Sequence, residues 1–492
     1  MPHILALDQS TSATKAMVFT SQGELIDKVA LEHKQYYPQP GWVEHDAEEI
    51  YRNTLRALKS LLGRNRSIVN DLLCLSVTNQ RETIVVFDRR TGQPLYHAIV
   101  WLCRRGTPIC EDLIKANCSD HIQRITGLKI DTYFPAPKLR WLFDNQPGIH
   151  SQLCSGSALL GTMDTYLIYR LTHGKVHATD YTNASRTLLY DIGKLRWDEE
   201  LCRLFGVPGA SLPDVVESGA LVSESNLDGL LEKSIPICGV MGDSQAALFA
   251  ERCYQPGSAK VTFGTGSSIL LNVGEQLQFA GQGIVSTIGW VLNGKPTYAF
   301  EGIINFTGAT IAWLKDQLKL IDHAQETEAL ATAVPDNGGV YVVPAFVGLS
   351  APYWAPNSRA AILGLSPHSD KRHVVRAALE SIAYQVKDVL DLMSAATNLP
   401  LCFVSADGGM VNNKFLMQFV ADVTRLDVRA STLPELSALG AVLCGAIGTG
   451  QYQSLEELEK LPHGFTQYRP TEDQRTPQAN YAGWKKAVQR VL

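Results

Sequence analysis

The sequence predicts an α/β protein of two domains, and three observations lead to that prediction. At 492 residues the chain is longer than one ordinary hydrophobic core, so two large domains, or three, are expected. Apolar strands run into helix-forming stretches, most clearly at 240–251 near the middle of the chain, where we expect the hinge between the domains. Two β-hairpins of one plan, at 3–19 and 258–274, open the two halves and suggest an internal duplication.

Composition narrows the class of protein further. The apolar share of 45% and charged share of 19% are typical of a soluble globular enzyme. A net charge of −5, without a long basic run, argues against a nucleic-acid partner. The ten cysteines lack CxxC or zinc-site spacing, which favours reduced thiols. No leader and no apolar run of about 18 residues is present, so we expect a cytoplasmic protein without a membrane partner.

The two hairpins carry turns of small residues. In the first, the turn at 8–14 is rich in hydroxyls, begins with Asp8 and is followed by Lys15. Its backbone N–H groups can approach a phosphate, and Asp8 can hold a hydrated metal ion. A plain Ser/Thr-rich turn is the commoner explanation for one such hairpin. The second turn, at 264–268, repeats the plan at the equivalent place and favours a nucleotide held between the halves.

The centre of the chain places an acid between a strand and a helix. Asp243 follows Gly242 at the end of an apolar strand. That position lies at the carboxyl edge of a sheet, where α/β proteins bind ligands, and it suits a catalytic base. A helix N-cap is the ordinary role of an Asp at this place, and one residue can serve both purposes.

Other stretches offer binding groups. Arg81 and Glu82, adjacent after a strand, can bind the hydroxyls of a polyol or form a solvated ion pair. Trp101, at the end of the next strand, is either core or a wall against the C–H face of a sugar. The double glycine at 408–409 lets backbone approach a nucleoside closely.

Local patterns also predict individual elements. Asp46 is expected to cap a helix with an apolar stripe, and 160–172 is expected to be helical. Gly302 and Gly308 are expected to begin a helix. Glu435 precedes a small-residue helix that we expect to pack against a sheet.

With these motifs in view, the chain resembles the FGGY family of carbohydrate kinases, and the glycerol kinases most of all. The stretches that carry the resemblance occur in the family's order along nearly the whole chain: TNQRET, IVWLCRR, DYTNASRT, GDSQAALF, FGTGS, VYVVPAFVGLSAPYW, DGGMVNNKFLMQF and SALGAVLCGA. Tyr133, Pro135, Lys138 and Trp141 fit the family's first signature. The resemblance implies two actin-like (ribonuclease H-like) domains, expected at 1–246 and 247–492, with the active site in the cleft between them.

The resemblance also implies roles for single residues. Asp243 would be the general base, and Asp8 and Asp243 would hold Mg²⁺, Asp8 through water. The implied contacts to ATP are Thr11, Ser12, Lys15, Gly264, Thr265, Gly308, Gly409 and Asn413. The implied polyol pocket is Arg81, Glu82, Trp101, Tyr133, Asp243, Ser244 and Ser268. A homodimer or homotetramer is expected.

Three positions of the pocket depart from the glycerol kinase pattern. Ser244 replaces a usual Gln and Ser268 a usual Phe, which implies a roomier and more polar pocket. The third change is Leu102 in place of a usual Gln. The expected reaction is ATP-dependent phosphorylation of a primary hydroxyl of a small polyol, with glycerol slightly ahead. A tetritol, a pentitol, erythrulose, xylulose or ribulose is the alternative substrate. From another class, an actin-like ATPase or nucleotide sensor remains open, although it would not need the polyol residues.

Overall fold

The computed structural model describes residues 2–281, 283–397, 399–473 and 475–492. The chain forms two compact units. The first comprises Met1–Arg252, Thr287–Tyr298 and Pro434–Pro462, and the second comprises Cys253–Ser286, Ala299–Leu433 and His463–Leu492. Both units mix strands and helices, which confirms the predicted α/β class.

The elements have the following bounds. The strands are β1 (His3–Gln9), β2 (Ala13–Thr20), β3 (Leu25–Glu32), β4 (Gln35–Tyr36), β5 (Glu44–His45), β6 (Leu72–Asn79), β7 (Ile84–Asp88), β8 (Ala98–Ile99), β9 (Ala158–Thr162), β10 (Ala178–Asp180), β11 (Tyr190–Asp191), β12 (Arg196–Trp197), β13 (Asp214–Val216), β14 (Ser223–Ser225), β15 (Ile235–Gly242), β16 (Ser258–Phe263), β17 (Ser267–Gly274), β18 (Val285–Leu292), β19 (Lys295–Ile304), β20 (Tyr341–Val343), β21 (Ala361–Leu363), β22 (Phe403–Asp407), β23 (Asp427–Ser431) and β24 (Phe465–Tyr468). The α-helices are α1 (Ala47–Arg64), α2 (Thr107–Lys115), α3 (Ser119–Thr126), α4 (Pro135–Asn145), α5 (Pro147–Cys154), α6 (Met163–Leu171), α7 (Tyr181–Ala184), α8 (Glu199–Phe205), α9 (Asp243–Ala250), α10 (Gly308–Asp316), α11 (Glu326–Thr332), α12 (Lys371–Thr397), α13 (Lys414–Thr424), α14 (Leu436–Gly448), α15 (Leu455–Glu459) and α16 (Arg475–Gln489). Short 3-10 helices lie at Arg66–Asp71, Gly209–Ser211 and Gly409–Asn412.

The first unit is built on a six-stranded sheet in the order β14-β15-β6-β1-β2-β3. The hairpin β1–β2 is antiparallel, whereas β1 pairs with β6, and β6 with β15, in parallel. Because parallel strands end at the same edge, Asp8, the turn after Asn79 and the residues after Gly242 come to one edge of this sheet. This edge carries the candidate site of the first unit.

Two helices of the first unit form as the sequence predicts. Asp46 caps α1, its carboxylate accepting from the backbone N–H groups of Glu48 and Glu49, and the apolar stripe of α1 is buried. Small residues let α14 approach its neighbours closely, with Gly440 against Ala246. The predicted packing of this helix on a sheet is confirmed, since Gly445 faces Ser76 of β6.

The second unit repeats the plan of the first. Its seven-stranded sheet has the order β18-β19-β17-β16-β22-β23-β24. The hairpin β16–β17 is antiparallel, and β16 pairs with β22, and β22 with β23, in parallel. The two predicted hairpins are present, and each is followed by two parallel strands, an arrangement that fits the internal duplication suggested by the repeated motif.

Several local predictions are wrong in their bounds. The helix expected over 160–172 begins only at Met163, because Ala158–Thr162 forms β9 and pairs with β7. Gly302 lies inside β19, so only Gly308 begins a helix. Trp101 lies in a turn after β8 and does not end a strand.

Three general features complete the fold. None of the ten cysteines forms a disulfide bond. Among the described residues, no helix has the length and apolar character needed to cross a membrane. Over the same residues, no group of three or more His, Cys, Asp or Glu side chains is arranged to hold a metal ion.

Candidate active site

Asp243 is the first residue of α9, and Gly242 before it is the N-cap, so the alternative of Asp243 as the cap is wrong by one position. Gly242 takes the cap position in an extended conformation, and its N–H donates to Thr182 Oγ1 at 2.8 Å. Asp243 Oδ1 accepts the backbone N–H of Ser244 at 2.7 Å and lies 3.3 Å from the Ser244 hydroxyl. The Asp243 side chain remains 38% exposed. It lies at the N-terminus of α9, where the helix dipole favours a negative charge.

Arg81 reaches Asp243 by passing over Gly242. A Cβ atom at Gly242 would lie 2.7 Å from Arg81 Cγ, so only glycine leaves room for this path. Arg81 Nε then lies 3.3 Å from Asp243 Oδ1, and Arg81 Nη1 donates to Gln245 Oε1 at 3.1 Å. Gln245 in turn donates to the carbonyl of Ile288, which fixes the amide that holds Arg81.

Glu82 is buried, so the alternative of a solvated ion pair with Arg81 is wrong. Arg186 Nε donates to Glu82 Oε1 at 2.6 Å, and Arg81 Nε lies 3.8 Å from the same oxygen. Glu82 and Arg186 are each 1% exposed. Charges therefore alternate along the series Arg186, Glu82, Arg81 and Asp243, which balances two buried cations against two carboxylates.

Two aromatic rings lie on the segments beside these charges. Trp101 and Tyr133 pack edge to face with ring centroids 5.3 Å apart, and both are half-buried. Trp101 Nε1 donates to Thr11 Oγ1 at 3.0 Å, which connects this pair to the first turn. Trp101 is thus not a core residue, and a partly exposed aromatic pair of this kind can cover the C–H face of a polyol. Leu102 beside it is 48% exposed.

Lys15 is shared between two carboxylates. Its Nζ lies 3.1 Å from Asp8 Oδ2 and 2.7 Å from Glu435 Oε2, and Lys28 Nζ lies 2.8 Å from Glu435 Oε1. Burial raises the pKa of Asp8 to about 6; Lys15 acts to lower it, whereas the charge of Asp243 raises it further. Asp8 and Asp243 are therefore electrostatically coupled carboxylates at the same sheet edge.

The turn of the first hairpin is short and partly exposed. Ser10 closes it by donating its N–H to the carbonyl of Ala13 at 3.0 Å. Thr11 is half-buried and Ser12 is exposed. The backbone around Ser12, with Lys15 close behind it, can therefore accept an anion such as a phosphate group.

The second unit brings most of its predicted nucleotide residues together. Gly264 and Thr265 form the exposed tip of the β16–β17 turn. The N–H of Gly308, at the start of α10, donates to the carbonyl of Gly264 at 3.0 Å. A Cβ at Gly308 would lie 2.6 Å from that oxygen and 3.6 Å from the sulfur of Met410, which follows the exposed Gly409. Gly308 therefore lies against the tip of this turn, and the segment that carries Gly409 and Met410 lies beside Gly308.

Two further predicted residues of the second unit, Asn413 and Ser268, make side-chain hydrogen bonds within that unit. Asn413 caps α13, since its side chain accepts the N–H of Leu416 at 2.9 Å, and it also donates to Thr327 Oγ1 at 3.1 Å. Ser268 lies on β17 and donates to Glu301 Oε1 at 3.3 Å. Its hydroxyl thus contributes a polar surface within this unit.

Four residues that sequence reasoning did not assign support the first unit's site. Gln245 and Arg186 hold Arg81 and Glu82, Glu435 holds Lys15, and Lys138 donates to backbone carbonyls of the pocket segments. Arg186 and Gln245 lie inside the motifs DYTNASRT and GDSQAALF. Only its place in the motif DYTNASRT distinguishes Arg186 in the sequence, since its burial and its pairing with Glu82 appear only in the fold.

Comparison with known proteins agrees with this geometry. Residues 3–250 match the N-terminal domain, and residues 259–449 the C-terminal domain, of the FGGY family of carbohydrate kinases. Glycerol kinase 1 of Thermotoga maritima is 45% identical over 490 residues, covering 100% of this chain and 99% of that protein. The glycerol kinase of Symbiobacterium thermophilum is 45% identical over 492 residues, covering 99% and 98%.

Solved structures give the same result. The glycerol kinase of Plasmodium falciparum, determined with ADP, superposes with a TM-score of 0.95 at 35% identity, covering 100% of this chain and 98% of that one. A xylulose kinase of Lactobacillus acidophilus, 19% identical, shares the fold with a TM-score of 0.90 and coverage of 100% and 98%. The two-domain α/β fold and the phosphotransferase class that the motifs predicted are thereby confirmed, and the chain belongs to the FGGY family of carbohydrate kinases.

Proposed function

We propose that this kinase transfers the γ-phosphoryl group of ATP to a primary hydroxyl of glycerol. The observation that carries the proposal is the series Arg186, Glu82, Arg81 and Asp243, which ends in a partly exposed carboxylate. The similarity to glycerol kinases at about 45% identity over the full chain supports it.

The polyol would be held by groups of the first unit. Arg81 donates to a substrate hydroxyl, Glu82 accepts from one, and the rings of Trp101 and Tyr133 cover the carbon chain. Asp243 accepts the proton of the primary hydroxyl as that oxygen attacks the γ-phosphorus in line. The guanidinium of Arg81, 3.3 Å away, holds the Asp243 carboxylate in position for this transfer.

ATP would be bound by the two turns and by the glycine segments. Thr11, Ser12 and Lys15 receive phosphate oxygens at one turn, and Gly264 and Thr265 at the other. Gly308, Gly409 and Asn413 contact the nucleoside. In this assignment 1–246 supplies the polyol pocket, the first phosphate turn and the base, and 247–492 supplies the second phosphate turn and the adenine side. The Plasmodium falciparum relative was determined with ADP, which supports a nucleotide as a ligand of this chain.

Mg²⁺ fits the acids at the sheet edge of the first unit. This ion keeps several waters and needs only one or two carboxylates beside the phosphates. The charge of Asp243 acts to raise the pKa of Asp8, so a cation near both would relieve their repulsion. The ion would be held by Asp243 and, through water, by Asp8. When bound, it would neutralise negative charge on the phosphates.

A larger substrate is the second candidate. Ser244 and Ser268 are small and hydroxylic, and each hydroxyl already lies within 3.3 Å of a carboxylate oxygen, of Asp243 and Glu301 respectively. Such groups can bind the additional hydroxyls of a tetritol, pentitol or ketose.

We further propose a cytoplasmic enzyme that forms a homodimer or homotetramer and works without a nucleic-acid or membrane partner.

The deciding experiment is kcat/KM with ATP and Mg²⁺ across glycerol, erythritol, ribitol, xylitol, erythrulose, xylulose and ribulose. A wide lead for glycerol supports the proposal and shows that the two serines are tolerated. A lead for a four- or five-carbon substrate supports the second candidate, and Ser268→Phe should then return preference toward glycerol. ATP hydrolysis that is independent of every polyol would contradict both and favour an actin-like ATPase or nucleotide sensor.

A further inference from the structure

One buried ammonium group lies among the segments that carry the proposed polyol residues. Lys138 is on α4, and its side chain is completely buried. Its Nζ donates to the backbone carbonyl oxygens of Glu82 at 3.0 Å, Val100 at 3.3 Å and Tyr133 at 3.0 Å. A lysine ammonium has three protons, so the three acceptors use its full donor capacity.

The three carbonyls come from three separate loops. Glu82 lies between β6 and β7, Val100 immediately precedes Trp101 after β8, and Tyr133 lies ahead of α4. Each loop therefore contributes a side chain to the proposed polyol pocket. The first loop is also strained, because Glu82 has a φ of 60°, a left-handed conformation that non-glycine residues adopt rarely.

We infer that Lys138 is a positioning residue for the polyol, whose ammonium group fixes these three loops relative to one another. This inference rests on the proposed function. Lys138 is buried behind the loops and acts through their backbone, without a role in the chemical step. Its effect falls on the distances between the Glu82 carboxylate and the two aromatic rings.

The charges around Lys138 show why a lysine can be kept there. Burial disfavours the ammonium form, and Glu82, Cys103 and Asp131 act against this effect, whereas Arg105 adds to it. An apolar side chain of the same length would avoid the cost of burying a charge. It would also leave three carbonyls of the pocket loops without this donor. The free-energy cost of burying the ammonium is therefore offset by the three hydrogen bonds that hold the loops in position.

The test compares two buried lysines. Lys138→Met removes the three donors at nearly constant length. Lys260→Met is the control, because Lys260 is equally buried in the second unit and donates to Thr262 Oγ1 at 2.7 Å. We expect Lys138→Met to raise KM for glycerol about tenfold or more, and KM for ATP by less than about threefold. Lys260→Met should leave KM for glycerol unchanged.

Hydrogen–deuterium exchange gives a readout that does not depend on turnover. Peptides covering 80–84, 98–103 and 131–135 should exchange faster in Lys138→Met than in wild type, and should be unaffected in Lys260→Met. If Lys138→Met does not fold, Lys138→Gln is used in its place, because glutamine keeps a shorter donor. The exchange rates and KM for glycerol should then rise by a smaller amount. Unchanged exchange in the three peptides, or an equal glycerol KM in both methionine variants, would overturn the inference. Failure of the wild-type enzyme to phosphorylate any polyol, with the exchange result as expected, would overturn the proposed function alone.

Discussion

Replacing Arg186 by Met tests whether the buried charge series positions the site. The change removes the guanidinium that lies 2.6 Å from Glu82, while Glu82 stays buried at 1% exposure. Removing one partner of a buried ion pair costs about 3–5 kcal/mol of stability, because the remaining charge cannot be hydrated. We expect Arg81, now 3.8 Å from Glu82, to move toward that carboxylate and away from Asp243.

The assay separates this effect from simple destabilisation. Arg376→Met is the matched control, since Arg376 pairs with the buried Glu380 at 2.8 Å on α12 of the second unit. Both variants should lose similar free energy of unfolding in denaturant titrations. Only Arg186→Met should lower kcat/KM for glycerol, by about tenfold to a hundredfold, the equivalent of one charged hydrogen bond. If both variants keep the same kinetics toward glycerol, the positioning argument is refuted.

Three further predictions concern the proton acceptor, the phosphate turn and pH. Asp243→Asn should lower kcat about 10²-fold or more with unchanged folding by circular dichroism, and near-normal turnover would exclude it as the base. Glu435→Gln weakens the 2.7 Å contact that holds Lys15 and should raise KM for ATP but not for glycerol in steady-state assays; the reverse pattern would contradict this role. Burial lowers the pKa of Lys138 to about 7, against 10.5 in the unfolded chain, so the unfolded state binds more protons between these values and stability should rise with pH across that window. KM for glycerol should rise as the pH passes through about 7, where the ammonium of the folded enzyme loses a proton, and Lys138→Met should flatten both profiles; a wild-type KM that does not change around this pH would count against the argument.

Much of the fold could be predicted because its signals are local. Apolar strands joined by small-residue turns identify the two hairpins, and an Asp before an apolar stripe identifies the start of α1. The exceptions arise where local pattern is ambiguous. The apolar stretch around Gly302 fits a strand or the start of a helix, and its pairing within a sheet decides in favour of β19.

The candidate site shows the same limit, because groups adjacent in sequence can be predicted and their distant partners cannot. Arg81 and Glu82 are adjacent in sequence, so their joint presence is visible without a structure. Their partners are not: Arg186 lies 104 positions from Glu82, and Glu435 lies 420 positions from Lys15. A single sequence contains no signal for contacts across such separations, so the residues that hold the predicted groups could be found only from the fold.

The start of α9 shows how one residue of register separates a structural acid from a candidate base. Asp46 is an N-cap, and its carboxylate accepts two backbone N–H groups and so stabilises the start of α1. Asp243 stands one position further along its helix, where Gly242 has taken the cap position and has given its own N–H to Thr182. The Asp243 carboxylate therefore accepts the N–H of the next residue, faces Arg81 and keeps more than a third of its surface exposed. Because Arg81 can reach Asp243 only over a glycine, the absence of a side chain at position 242 and the acid at 243 together orient this carboxylate, as the proposed role of a general base requires.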